Sequence, residues 1–280
     1  MSTHVILNGR LMSGDGPVIS LDNRAFHYGD GVFESIRVLN GAPCFVDAHW
    51  TRLQEGLKVL RIETPAGLDP SSIVRMITEL SGACGLPNGR ARLTVYRDAP
   101  GYYRPRAHTG GYTIELHPVP TPNYALNLQG HTVDIYPEMR KPVNMLAVHK
   151  TLNCQIYVMA SLWCMERGLD DCLLQNDRGN IIESSSGNLF IVSNGVLYTP
   201  SLSDGCIGGV MRMQVINLAI ANGIKVYECS LNPQNLLAAD ELFFTNAARG
   251  VQWVSAYRTK RYAHRMAQHL TGLLVARVLS

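Results

Sequence analysis

Short apolar runs that stop at Asn-Gly punctuate this chain. Val5-Ile6-Leu7 ends at Asn8-Gly9, residues 35–39 alternate with period two and end at Asn40-Gly41, and residues 189–193 are separated from 196–198 by Asn194-Gly195. That dipeptide suits a turn with positive φ at both central residues, so each reads as a strand entering a tight turn. Helical spacing takes over elsewhere. Asp47 reads as the N-cap of a helix whose apolar positions Trp50, Leu53, Leu57 and Leu60 share a face, and Ile73, Met76, Ile77 and Leu80 do the same within 71–84. Strands are predicted near 92–96 and 112–116. Beyond residue 150 the pattern predicts a helix over 152–167, strands at 172–175 and 181–183, a helix over 209–222 stopped by Gly223, strands at 224–229, 241–245 and 251–254, and a last helix from about 261.

Between these halves lies Pro118-Val119-Pro120-Thr121-Pro122, which can neither continue a helix nor sit in a central strand. We therefore place an α/β domain at 1–117, a linker at 118–125 and a second domain at 126–280, giving a two-domain α/β or α+β class. The 280 residues, 46% apolar, suffice for sizeable cores and exclude disordered and fibrous classes. With 25 basic and 22 acidic residues the net charge is +3, and basic residues form no runs, so neither nucleic acid nor a membrane surface is an expected partner. No apolar stretch nears the roughly 18 residues of a spanning helix, and Met1-Ser2-Thr3-His4-Val5 lacks a basic leader, so a cytoplasmic protein is expected. Seven cysteines without a Cys-x-x-Cys pair read as reduced core residues, and no metal site is expected.

Only five lysines occur, at 58, 141, 150, 225 and 260, so chemistry that needs a primary amine has few candidates. Lys150 is placed at the start of the predicted helix over 152–167, where a cation opposes the helix dipole; it is either a solvated lysine or an amine made nucleophilic by that positive field. Glu183, at a strand end before Ser-Ser-Ser-Gly-Asn188, either faces water or holds a proton on a heteroaromatic nitrogen. Gly208-Gly209 runs straight into a helix at Val210-Met211, a turn that serves steric needs or receives a phosphate on bare N–H groups. Thr245-Asn246-Ala247, after an apolar strand, are ordinary turn residues or anion contacts.

Taken together and in order, these segments resemble the fold type IV pyridoxal-phosphate enzymes, the class IV aminotransferases, with a D-amino-acid aminotransferase-like fold. The resemblance rests on His27-Tyr-Gly-Asp-Gly-Val-Phe-Glu34, His49-x-x-Arg52-Leu53, Lys150-Thr-Leu-Asn153, Glu183 with Ser-Gly-Asn188-Leu-Phe, Gly209-Val-Met-Arg212 and Ala239-Asp-Glu-Leu-Phe-Phe-Thr245, and covers nearly the whole chain. It implies pyridoxal 5'-phosphate as cofactor and Lys150 as the catalytic lysine that binds it as an imine. By the same resemblance Glu183 pairs with the pyridine nitrogen, and Arg52, Gly209, Val210, Met211, Thr245 or Asn246 hold the phosphate, with Asn188 beside them. Tyr28 and Ala247 line the substrate side. A small-molecule amino substrate and a homodimer are implied as well.

Within that family, Gly209-Val-Met-Arg212 and the asparagine of Thr245-Asn246-Ala247, where branched-chain transaminases have the glycine of a turn that binds substrate carboxylate, resemble 4-amino-4-deoxychorismate lyases, which release pyruvate and 4-aminobenzoate for folate synthesis. Lys150-Thr-Leu-Asn153 fits these and the D-amino-acid transaminases alike. The 97–105 stretch resembles a lyase substrate loop, which makes Arg97 and Arg104 candidate binders of substrate carboxylates. A branched-chain or D-amino-acid transaminase, and a catalytically silent protein on the same fold, are the alternatives.

Overall fold

A computed structural model describes residues 3–279; Met1 and Ser2, part of the N-terminal reading, and Ser280 lie outside the described residues. The chain divides into two compact units, one made of Met1–Asn123 with His149–Asn153, the other of Tyr124–Val148 with Cys154–Ser280. The Pro-rich stretch thus stands at the end of the first unit, and five residues around Lys150 return to it.

The first unit is an antiparallel sheet of β1 (His4–Leu7), β2 (Arg10–Ser13), β3 (Gly31–Leu39), β4 (Ala42–Pro43), β5 (Gly89–Arg97) and β6 (Gly110–Pro118), in the order β2-β1-β6-β5-β3-β4. With it come α1 (Arg24–Tyr28), α2 (Val46–Leu60) and α3 (Pro70–Cys84). Asn8 and Gly9 have φ of 46° and 86°, and Asn40 and Gly41 50° and 83°, the values the two turns require. Ile6, Val32, Ile36, Leu93 and Val95 pack with Leu53, Leu57, Ile73, Met76, Ile77 and Leu80 in one core, each large apolar side chain worth about 1.5–3 kcal/mol on burial. Asp69 caps α3 reciprocally with Ser72, and Pro70 opens it. Asp47 is not a cap: Phe45, with φ 56°, brings the chain into α2 from the left-handed region, and Asp47 lies in the first turn, where an acid still complements the dipole.

Residues 150–152 are extended rather than helical. Phe33 N–H donates to Lys150 O at 3.0 Å, Leu152 N–H donates to Gly31 O at 2.9 Å, and Val32 bridges Thr151. The start of β3 offers backbone groups that β4, paired only at residues 38–39, does not reach. Gly31 is required there, since a Cβ would lie 2.4 Å from Val95 O and 2.9 Å from Leu152 Cδ1.

In the second unit, β7 (His131–Ile135), β8 (Asp171–Gln175), β9 (Ile181–Ser184), β10 (Asn188–Ser193), β11 (Val196–Thr199), β12 (Val226–Glu228), β13 (Glu241–Asn246) and β14 (Gly250–Tyr257) run in the order β12-β11-β10-β13-β14-β7-β8-β9, and β15 (Lys260–Arg261) pairs with β14. Because β9 also pairs with β10, the strands from β10 round to β9 close into a ring. The helices are α4 (Gln155–Glu166), α5 (Val210–Ala221), α6 (Pro233–Ala238) and α7 (Arg265–Leu279). Thus α4 starts later than the predicted 152 because 150–152 belong to the first unit, and α7 starts later than 261 because 260–261 form β15. No described helix is long and apolar enough to cross a membrane.

Candidate active site

In the first unit a buried carboxylate organises the residues of two motifs. Alternation along β3 puts Glu34 on the same face as Val32 and Ile36, toward α2. There it accepts from His49 Nδ1 at 2.6 Å and from Arg52 Nε at 2.9 Å, with Arg52 Nη2 as a third donor. Burial pushes the Glu34 carboxyl up, but the Arg52 charge and the hydrogen bonds of His49 and Arg52 outweigh it and hold it at about 2. His49 is pushed down by its own burial against the pull of Glu34. A neutral His49 that donates through Nδ1 leaves Nε2 as an acceptor, and that atom is buried without a partner among the described residues. Arg52, expected at a phosphate, is therefore oriented by Glu34 along its Nε–Nη2 edge.

Lys150 is half-buried, its Nζ 4.2 Å from the centroid of the Phe33 ring. It stands five residues before α4, so the expected helix N-terminus is not what acts on it; an aromatic face and a strand edge are its surroundings. Tyr28 is half-buried at the end of α1, its ring 5.4 Å from that of Tyr103. Arg97 departs from expectation. It is buried, its Nε and Nη2 donate to Asp30, and its remaining N–H groups reach Leu60 O, Arg61 O and His108 Nδ1, so the guanidinium is fully engaged inside the unit. Arg104 is exposed in the loop between β5 and β6, next to Tyr102 and Tyr103, which are 86% and 91% exposed.

In the second unit strand register assembles what the sequence keeps apart. Glu183 lies opposite Asn188, and Asn188 opposite Thr245, so the three form one row across β9, β10 and β13. Glu183, 2% exposed, accepts at Oε1 from Lys141 Nζ (2.7 Å) and Tyr157 OH (2.8 Å), and at Oε2 from Ile207 N–H (2.9 Å). The Asn188 amide donates to Ile207 O at 2.7 Å, so both polar groups of the Ile207 backbone are held from this row. A Cβ on Gly209 would lie 1.8 Å from Asn188 Oδ1, which fixes glycine at the mouth of α5. Val210 and Met211 open α5, and no side chain among the described residues caps it, leaving its first N–H groups for an external acceptor. Thr245 Oγ1 is buried with no partner among the described residues. Asn246 donates to Ser186 O at 3.3 Å and accepts from Arg249 N–H at 2.9 Å, while Ala247 O accepts from Tyr124 OH. Lys141 and Tyr157 were not singled out from the sequence. Lys141 had only its scarcity to mark it, and Tyr157 carried no mark.

The family profile "Amino-transferase class IV" matches residues 31–257. A putative branched-chain-amino-acid aminotransferase of Methanocaldococcus jannaschii is 32% identical over 245 residues, covering 87% of this chain and 84% of that protein. The aminodeoxychorismate lyase of Bacillus subtilis is 28% identical over 253 residues, covering 87% and 83%. Among solved structures, the Thermoproteus uzoniensis branched-chain aminotransferase with norvaline has a TM-score of 0.89 at 26% identity, covering 100% of this chain and 95% of that one. A second branched-chain amino acid aminotransferase, from T.th. and complexed with N-(5'-phosphopyridoxyl)-L-glutamate, has a TM-score of 0.87 at 25% identity and covers 99% and 94%.

The residues fit a phosphorylated pyridine. An uncapped helix start and an unpartnered buried hydroxyl suit the phosphate, and a buried carboxylate in the same row suits a ring N–H. Among the described residues no group of His, Cys, Asp and Glu could hold a metal ion.

Proposed function

The chain belongs to the class IV aminotransferases and is an enzyme of that family using pyridoxal 5'-phosphate; from that premise we propose that it is a 4-amino-4-deoxychorismate lyase. When bound, the cofactor supplies an electron sink for the pair left by Cα–H cleavage. Lys150 provides the amine that anchors it and then carries the Cα proton. Glu183 holds the proton on the ring nitrogen. Arg52, braced by Glu34, is assigned to the phosphate by the resemblance; in the second unit the α5 start and Thr245 are assigned to it as well. Arg104 and Tyr28 are assigned to the substrate; Arg97, its guanidinium engaged by Asp30 and carbonyls, is assigned to holding the end of β5 against the end of α2.

The observation that carries the lyase reading is the turn after β13. Asn246 stands where the resemblance places glycine in branched-chain transaminases, and its carboxamide closes the turn against Ser186 and Arg249. A turn closed in this way is less open to a small amino acid's carboxylate. Transamination is the second reading, favoured by the 32% identity to the Methanocaldococcus relative against 28% for the Bacillus lyase. The two differ in whether turnover consumes a 2-oxo acid. Holoenzyme given 4-amino-4-deoxychorismate alone is expected to release 4-aminobenzoate and pyruvate in equal amounts; turnover only after 2-oxoglutarate is added would establish the transaminase.

A further inference from the structure

Glu183 is served by three segments of the second unit that are remote in sequence: Lys141 between β7 and α4, Tyr157 on α4 and Ile207 ahead of α5. Lys141 is itself 8% exposed, its backbone locked by donation to Gln175 O at 2.9 Å and acceptance from Asp177 N–H at 3.2 Å. A lysine is rarely so buried without a charged partner. Replacing a buried ion pair with apolar groups is often neutral or stabilising, so stability alone does not call for it.

We propose that Lys141 and Tyr157 are positioning residues that, with the Ile207 amide, fill three of the four acceptor positions of the Glu183 carboxylate and leave one on Oε2 for the cofactor's ring N–H, whose proton thereby stays on the ring nitrogen. This rests on the functional reading above. Oε1 has two donors and Oε2 one, so a further donor is directed to Oε2. Charge-assisted bonds from the ammonium withdraw the carboxylate's lone pairs from competition for the ring proton. Burial, with Glu183 beside it, pushes the Tyr157 hydroxyl far above its ordinary value, so Tyr157 stays a donor. The buried Cys206 thiol, raised to about 12 by burial first and Glu183 second, is neutral and brings no competing charge. Nζ of Lys141 is committed as an ammonium to Glu183, which leaves imine formation to Lys150.

Holoenzyme reconstituted with pyridoxal phosphate labelled with ¹⁵N in the ring tests this. The wild type should show a protonated ring nitrogen. In Lys141→Met the signal should move toward unprotonated pyridine, with kcat about tenfold lower and KM within about twofold. Lys141→Arg should restore both, and Tyr157→Phe should shift the signal the same way by less. Lys141→Met that keeps the wild-type ¹⁵N signal and kcat and loses only thermal stability overturns the proposal. Should Lys141→Met not fold, an unchanged signal in Tyr157→Phe does so. A wild-type protein with no borohydride-reducible cofactor on Lys150 would bring down the functional reading before any variant is made, and this inference with it.

Discussion

Glu34 and Glu183 are both 2% exposed, yet they are built differently. The donors of Glu34, His49 and Arg52, lie 15 and 18 residues away on a single helix. Those of Glu183 lie 42, 26 and 24 residues away on three separate segments. One strand and one helix suffice to complete Glu34, and its chief effect is to orient the Arg52 fork. Glu183 is complete only when the segment between β7 and α4, α4 itself and the approach to α5 are all in place. A buried acid with local partners braces a neighbour; one with dispersed partners is a joint of the tertiary structure, here in one row with Asn188 and with the Thr245 hydroxyl, which has no partner among the described residues.

Substitution separates the two. Glu34→Gln removes the charge against which Arg52 is held, and should cost about 3–5 kcal/mol of stability in chemical denaturation. Glu183→Gln also strips the buried Lys141 ammonium of its counter-charge and should lose stability too, but it should in addition lower kcat on the order of 10²–10³-fold while the protein still takes up cofactor. A kcat in Glu183→Gln no lower than in Glu34→Gln would erase the distinction.

Acid sharpens it next. The folded Glu34 value of about 2 lies below its ordinary 4.5. Its contribution, about 3 kcal/mol, is therefore whole above pH 4.5 and lost as pH falls toward 2. His49, also held below its ordinary 6.5, loses stabilisation in the same direction as pH drops past that value. Denaturation midpoints across this range should fall steeply in the wild type and more shallowly in Glu34→Gln; parallel curves would refute the assignment. The smallest effect concerns Arg97, at the end of β5, and Arg104, in the loop that follows it. Arg104→Ala should raise KM about tenfold and Arg97→Ala no more than about twofold, because Arg97 has no N–H left to offer.

The same divide explains what the sequence disclosed. Turns set by Asn-Gly and the stripes of α2 and α3 were legible because they depend on residues within a few positions of each other. Lys150 and Glu183 were singled out through motif order, but the helix placed at Lys150 was not found, since residues 150–152 pair with β3 more than a hundred residues earlier. His131–Ile135 carries only two apolar residues and Pro233–Ala238 is six residues long, too weak a pattern for either element to be predicted. Lys141 and Tyr157 gain meaning only from contacts that folding creates.

The central claim is that Lys150 carries the cofactor. Borohydride reduction of the purified holoenzyme, followed by proteolysis and mass measurement, should find one phosphopyridoxyl group on the peptide containing Lys150. A group on the peptide of Lys141 or another lysine, or none at all, would contradict the account.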